Sequence, residues 1–154
     1  MDYTIRKAGI ADLGHLVYHR RAMFAEMGLG DAASLDRVDE ASREYFAQAF
    51  EHATYRGWLA EAADGAVIGG GGLVLASWPG YPGETLAQRA WILNMYTEPV
   101  ARRQGVANRL LEVMIDWCRD NGFRNVSLHA SNAGRPIYES FGFRPTNEMR
   151  LKLC

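Results

Sequence analysis

Only two cysteines occur among the 154 residues, Cys118 inside a helical pattern and Cys154 at the last position. Neither a disulfide framework nor a cysteine metal site has the residues it needs, and a reduced, cytoplasmic setting is the expectation. An excess of one charge is missing as well: 17 Lys and Arg stand against 18 Asp and Glu, for a net charge of -1. That balance removes the positive field expected of a nucleic-acid binder. No stretch approaches the roughly 20 apolar residues that span a bilayer, and the opening MDYTIRKAGIAD lacks an apolar signal core. Neither nucleic acid nor a membrane is therefore an expected partner. Repeats, low-complexity tracts and linkers are absent too. What remains is a chain that is 48% hydrophobic, enough for one domain, residues 1–154, with a core of its own.

Tyr3 to Arg6 reads as a short strand, and Asp12 is placed to cap a helix that runs to about Met27 and stops at Gly28. A second helix is expected from about Asp39 to Ala53. The period then changes. Tyr55 to Ala62, Val67 to Ala76 and Gln88 to Thr97 are rich in β-branched, aromatic and Leu residues and are joined by turn formers, which predicts an antiparallel meander. A long amphipathic helix ends near Asn121, with Gly122 as its cap. Asn125 to Ala130 reads as a strand, Arg135 to Phe141 as a short helix and Asn147 to Leu153 as a last strand. The sum is an α/β or α+β mixed sheet.

Two glycine signals must be separated. The run Gly69 to Gly72 lies inside an apolar strand pattern, not between a strand and a helix, and misses both nucleotide-loop spacings, so a close backbone approach or a bulge is expected. Gly105 is different. In PVARRQGVANRLLEVM, Pro99 to Met114, it stands where a strand gives way to an apolar-periodic helix. The first N–H groups of a helix lack intrahelical partners and carry partial positive charge, so that turn is an anion site. A residue without Cβ lets a phosphate reach the backbone, and Arg102 and Arg103 add charge. Taken alone, the stretch also reads as an ordinary helix start with solvated arginines.

The segment WILNMYTEPVARRQGVANRLLEVMIDWC, followed after a strand by LHASNAGRPIYESFGF, resembles the GNAT superfamily of acyl-CoA-dependent N-acyltransferases. The first part is similar to that family's signature strand, pyrophosphate loop and helix; the second to its region ending in Tyr-x-x-x-Gly-Phe, here Tyr138 to Phe143. The resemblance covers about Trp91 to Phe143. It implies a central, mostly antiparallel twisted sheet of about six or seven strands, splayed at the cofactor site and flanked by about four helices. It also implies acetyl-CoA as co-substrate, with no metal. Its pyrophosphate would be held by Arg102, Arg103, Gln104, Gly105, Val106, Ala107 and Asn108, and its pantetheine arm would run along Met95, Tyr96 and Thr97. Tyr138 would lie near the thioester sulfur. Where the family often has Asn seven residues before that tyrosine, this chain has Ser131, followed by Asn132.

The activity so implied is acetyl transfer from acetyl-CoA to a primary amine by direct attack through a tetrahedral intermediate, the amine belonging to a small molecule. Met95, through its N–H, would stabilise the oxyanion and Tyr138 would protonate the departing thiolate. No general base is assigned: Trp91 occupies a position where some relatives carry a carboxylate, and Glu26, Glu84, Glu98 and His129 stay as candidates. Trp78 and Tyr81 between two strands, and Arg20, Arg21, Met23 and Phe24 on the first helix, are candidate pocket walls. The rival reading is a catalytically silent acyl-CoA-binding or sensing module. Assembly, with a homodimer among the possibilities, is left open.

Overall fold

A computed structural model describes residues 1–154. Its strands are β1 (Tyr3–Lys7), β2 (Tyr55–Ala62), β3 (Val67–Ser77), β4 (Gln88–Thr97) and β5 (Val126–Leu128). Its helices are α1 (Leu13–Glu26), α2 (Ala32–Glu51), α3 (Val106–Asp120) and α4 (Arg135–Ser140). The strands form one sheet in the order β1-β2-β3-β4-β5, antiparallel except for the β4–β5 pair. The crossover through α3 makes that last pair parallel.

Alternation along each strand sends side chains to two helical layers. Trp58 and Ala60 join a cluster with Leu110, Leu111 and Met114 of α3, whereas Leu59 between them joins Leu16 of α1 and Phe46 and Ala49 of α2. The spacing of Val106, Leu110, Leu111, Met114 and Cys118, all buried, is the 3.6-residue period that makes α3 one wall of the core. No helix is long and apolar enough to cross a membrane.

Three expectations need correction. α2 starts at Ala32 rather than near Asp39, because Asp31 caps it: its carboxylate accepts the Ser34 N–H at 2.8 Å. Asp12 makes no bond to the first turn of α1; it accepts from the Gly9 N–H at 2.9 Å and from Arg6 at 2.9 and 3.1 Å. The sheet has five strands and not six or seven, since Asn147 to Leu153 forms no strand and pairs with nothing in the sheet.

The four glycines of β3 have a packing cause. A Cβ at Gly69 would stand 2.8 Å from the Tyr96 carbonyl oxygen, one at Gly70 would stand 2.8 Å from Leu59 Cδ2, and those at Gly71 and Gly72 would overlap Met95 Sδ and the Tyr55 hydroxyl. Tyr55 is 1% exposed and cannot swing away. Gly72→Ala should therefore destabilise the fold by about 1–3 kcal/mol, the usual cost of overpacking, read as a lower urea midpoint. An unchanged midpoint would mean that Tyr55 has room to move.

Opposite Gly71, β4 carries an extra residue. Gly70 pairs with Tyr96 but Gly72 pairs with Leu93, so Asn94 and Met95 together face one glycine. Such a bulge re-aims side chains. Asn94 has φ +63°, and its carboxamide donates to the Leu16 carbonyl at 3.0 Å, tying the bulge to α1. Met95 turns to Gly71 and Met114, while Tyr96 turns to the opposite face, beside His19.

Candidate active site

β4 and β5 pair only from Ala90–Val126 to Ile92–Leu128. Beyond that point β4 runs on to Thr97 with no strand on this side, so the sheet opens into a cleft. The Glu98 N–H bonds the Ile68 carbonyl of β3 at 2.9 Å. Alternation then turns the backbone groups of Thr97 and Met95 to the open edge and those of Tyr96 toward β3. Met95 and Thr97 thus present amide groups to the cleft. The ring of Tyr96 is 7% exposed and packs against His19, Tyr18 and the Arg102 guanidinium at 5.3, 6.2 and 5.8 Å.

At the end of β4, a single turn over Pro99–Ala101 leads into the loop before α3. The Arg102 N–H bonds Pro99 O at 3.3 Å, and the Arg109 N–H bonds Gly105 O at 2.9 Å. Between them, the amides of Arg103, Gln104, Gly105, Val106, Ala107 and Asn108 donate no hydrogen bond of ordinary geometry within the protein. An ordinary helix start leaves four such groups. Left-handed residues at Arg103, φ +61°, and Gly105, φ +80°, bend the chain so that successive N–H groups form a concavity suited to an anion. Conformation is the first reason for glycine at 105. Room is the second, because a Cβ there would meet nothing closer than Tyr3 Oη at 3.9 Å.

The charged side chains of the loop divide the work. Arg102 is exposed but engaged: its Nε donates to Thr97 O at 2.9 Å and its Nη2 to Glu26 at 2.6 Å, which joins the end of β4 to α1. Gln104 donates to Val100 O at 3.3 Å, and Arg109 pairs with Glu112 at 3.0 Å. Arg103 is exposed and has no ionic partner. Its charge is free to meet an anion at the concavity.

Across the cleft, Ser131 Oγ accepts the Gly134 N–H at 3.1 Å and shapes the turn that opens α4. Pro136 sits in the first turn of that helix, where its missing N–H costs nothing. Tyr138 is half-buried; its ring lies over Gly134 and meets Phe143 edge-on at 5.9 Å. Tyr138 and Met95 pack against the same core cluster. Burial pushes the Tyr138 phenol above its ordinary value. The hydroxyl therefore stays protonated at neutral pH and can give a proton.

Each candidate base has a partner or an exposed place. Glu26 pairs with Arg102, Glu98 accepts from Tyr18 Oη at 3.3 Å, and Glu84, buried, accepts the Arg124 N–H at 2.9 Å. His129 is exposed, stacks on Trp91 at 5.2 Å and contacts Glu148. Among the candidate walls, Trp78 and Tyr81 flank the Arg89 guanidinium at 4.2 and 5.0 Å. Arg20 lies over Phe24 at 4.8 Å, and Arg21 bridges Asp36 and Asp39 at 2.8 and 2.7 Å, holding α1 to α2.

Sequence reasoning missed His19. Its side chain is 2% exposed, burial lowers its pKa to about 4, and its Nε2 has no hydrogen-bond partner. It sits between Tyr18 and Tyr96 beside the bulge. Helical spacing from Leu16 was the only signal, and that spacing marks a core face without saying what lies above it.

The acetyltransferase (GNAT) family matches residues 25–143. A GCN5-related N-acetyltransferase from Ralstonia eutropha is 32% identical, with 99% of each chain covered and a TM-score of 0.91. A predicted acetyltransferase from Clostridium acetobutylicum, solved with acetyl-CoA, is 26% identical over 99% of this chain and 97% of that one, with a TM-score of 0.89. An aminoglycoside N-acetyltransferase in complex with CoA shares the fold at 19% identity and a TM-score of 0.73, with 99% and 96% covered. No protein of curated function matches the chain. Sheet, loop and family match agree: this chain belongs to the GNAT acetyltransferases and is an acyltransferase.

Proposed function

We propose that residues 1–154 act as one N-acetyltransferase domain, moving an acetyl group from acetyl-CoA to the primary amine of a small molecule. The observation that carries this reading is the run of six amides from Arg103 to Asn108, none of which donates a hydrogen bond of ordinary geometry, beside the open edge of β4. A diphosphate satisfies the first, with the free charge of Arg103 beside it, and an amide-bearing arm satisfies Met95 and Thr97 as an added strand would. The site thus fits coenzyme A, which supplies an acyl group activated as a thioester.

The remaining chemistry belongs to the chain. Met95 N–H, fixed by the bulge, polarises the carbonyl and holds the oxyanion as the amine adds. The carbon–sulfur bond then breaks, the Tyr138 hydroxyl gives its proton to the sulfur, and the proton shed by the acylated nitrogen returns through water to the tyrosine. The amine must arrive neutral, and no side chain is assigned as its base. A small acceptor is favoured because the sequence carries no acidic run to match a strongly basic protein acceptor. The aminoglycoside enzyme shows that this fold takes such acceptors.

Acetyl-CoA is expected to raise the unfolding midpoint, since the concavity exists only in the folded chain. At 100 times its dissociation constant the gain is about 2.7 kcal/mol. A panel of small amines, followed by free thiol release, tests transfer itself. Absence of any thermal shift at millimolar acetyl-CoA would defeat the cofactor site; a shift with no turnover on any amine would favour the silent binding module.

A further inference from the structure

One step of the transfer still lacks a group. A primary amine is mostly an ammonium at neutral pH and must lose a proton before its lone pair can attack. A base for that step has to stand at the mouth of the cleft, be open to an incoming amine and be held in one orientation by a third group.

His129 meets these conditions. It is the residue directly after β5, at the point where the sheet opens. The β4–β5 register, Ala90 on Val126 and Ile92 on Leu128, carried on by one residue, sets His129 level with Leu93. Met95 follows two residues later on β4, roughly 7 Å at a strand's rise, within reach of a side chain and one water. Val126 and Leu128 pack on the α3 core, so alternation sends Ser127 and His129 to the other face. There the His129 ring stacks on Trp91 at 5.2 Å, with 62% of its side chain open to solvent.

The orienting group is Glu148. One of its carboxylate oxygens contacts His129 Nε2, and the other accepts from Arg150 Nη2 at 2.7 Å. Those bonds hold Glu148 below the usual carboxylate range, so it is ionised at neutral pH. An ionised carboxylate takes the Nε2 proton and leaves the lone pair on Nδ1, which makes no hydrogen bond of ordinary geometry within the protein. Trp91 from β4 carries no charge, so Glu148, with Arg150 behind it, is the charged group in contact with the imidazole.

We propose that His129 is the general base of the transfer and that Glu148 is its positioning residue. The assignment rests on the acetyl-transfer reading and deepens it. Nδ1 takes one proton from the bound ammonium, directly or through one water, and later releases it to solvent. The neutral amine then adds to the thioester carbonyl, and its second proton leaves by the water path to Tyr138.

The test is the pH profile of thiol release at saturating acetyl-CoA, with ethanolamine, lysine and an aminoglycoside as acceptors. In the parent, kcat/KM for the amine should climb as imidazole loses its charge, between about pH 5 and 8, and then level off. His129→Gln should fold and bind acetyl-CoA as the parent does, yet turn over more slowly at pH 7 by roughly 10² to 10⁴. Its rate should go on climbing, about tenfold per pH unit, toward the pKa of the amine, since only amine already neutral in solution can react. Glu148→Gln should move the parent's rise to lower pH, because losing a negative neighbour favours neutral imidazole. Should His129→Gln not fold, the parent and Glu148→Gln profiles decide by themselves. A parent profile that never levels off before the pKa of the amine, or a His129→Gln variant that matches the parent at every pH, would overturn the assignment and leave transfer intact. An unmoved profile in Glu148→Gln would overturn the part given to Glu148. A parent that releases no thiol with any of the three amines would defeat the transfer reading and this one with it.

Discussion

Tyr138→Phe is expected to lower turnover by roughly 10² to 10⁴ while leaving cofactor affinity nearly unchanged, the range for a positioned general acid. The ring and its contact with Phe143 stay, so folding and the shape of the cleft are kept. Only the hydroxyl goes, and no group of the protein uses that hydroxyl as a partner. The loss belongs in kcat, because the interaction forms only as the sulfur gains charge. Its pH dependence is a second check. Burial raises the Tyr138 phenol above the ordinary value of 10.0, so the acid form is fully present at lower pH and is lost only as pH rises past that raised value. The ratio of parent to variant rates should then stay flat from neutrality to about pH 10. A ratio that collapses near pH 7 would assign the proton to another group, and equal rates would end the acid role of Tyr138.

Gly105→Val should cost about two orders of magnitude in acetyl-CoA affinity in a protein that still folds. At φ +80° a β-branched residue is an outlier, and the strain of about 1–3 kcal/mol is relieved by moving the loop. Moving it scatters the amides of Arg103 to Asn108, each of which is worth roughly 1.5–3 kcal/mol against a charged acceptor. Gly105→Asn separates the two reasons for glycine. Asn tolerates the left-handed region, and the nearest protein atom to its Cβ is Tyr3 Oη at 3.9 Å. The expected loss is less than about tenfold. Titration calorimetry of the two variants decides: equal, large losses would show that the space over residue 105 belongs to the phosphate, and retained affinity in Gly105→Val would move the anion site off this loop.

Much of the architecture was written locally. Tyr55–Ala62 and Gln88–Thr97 were legible at both ends because β-branched and aromatic runs stop at turn formers, and α3 because its apolar period and its flanking glycines agree. The loop at Gly105 was legible for the same reason: an anion site at a helix start needs nothing more distant than the next few amides. The cleft was not. It depends on β5 ending at Leu128 while β4 continues, and on Asn94 being drawn to the Leu16 carbonyl, which lies 78 residues away in sequence. His19 became a buried neutral histidine only when Tyr96 and Gly70 closed over it. The tail shows the division most clearly. Its alternation predicts a strand, since that needs only the two-residue period of its own side chains, yet residues 147–153 form none. A strand also needs an edge to pair with, and that edge exists only after the sheet has folded.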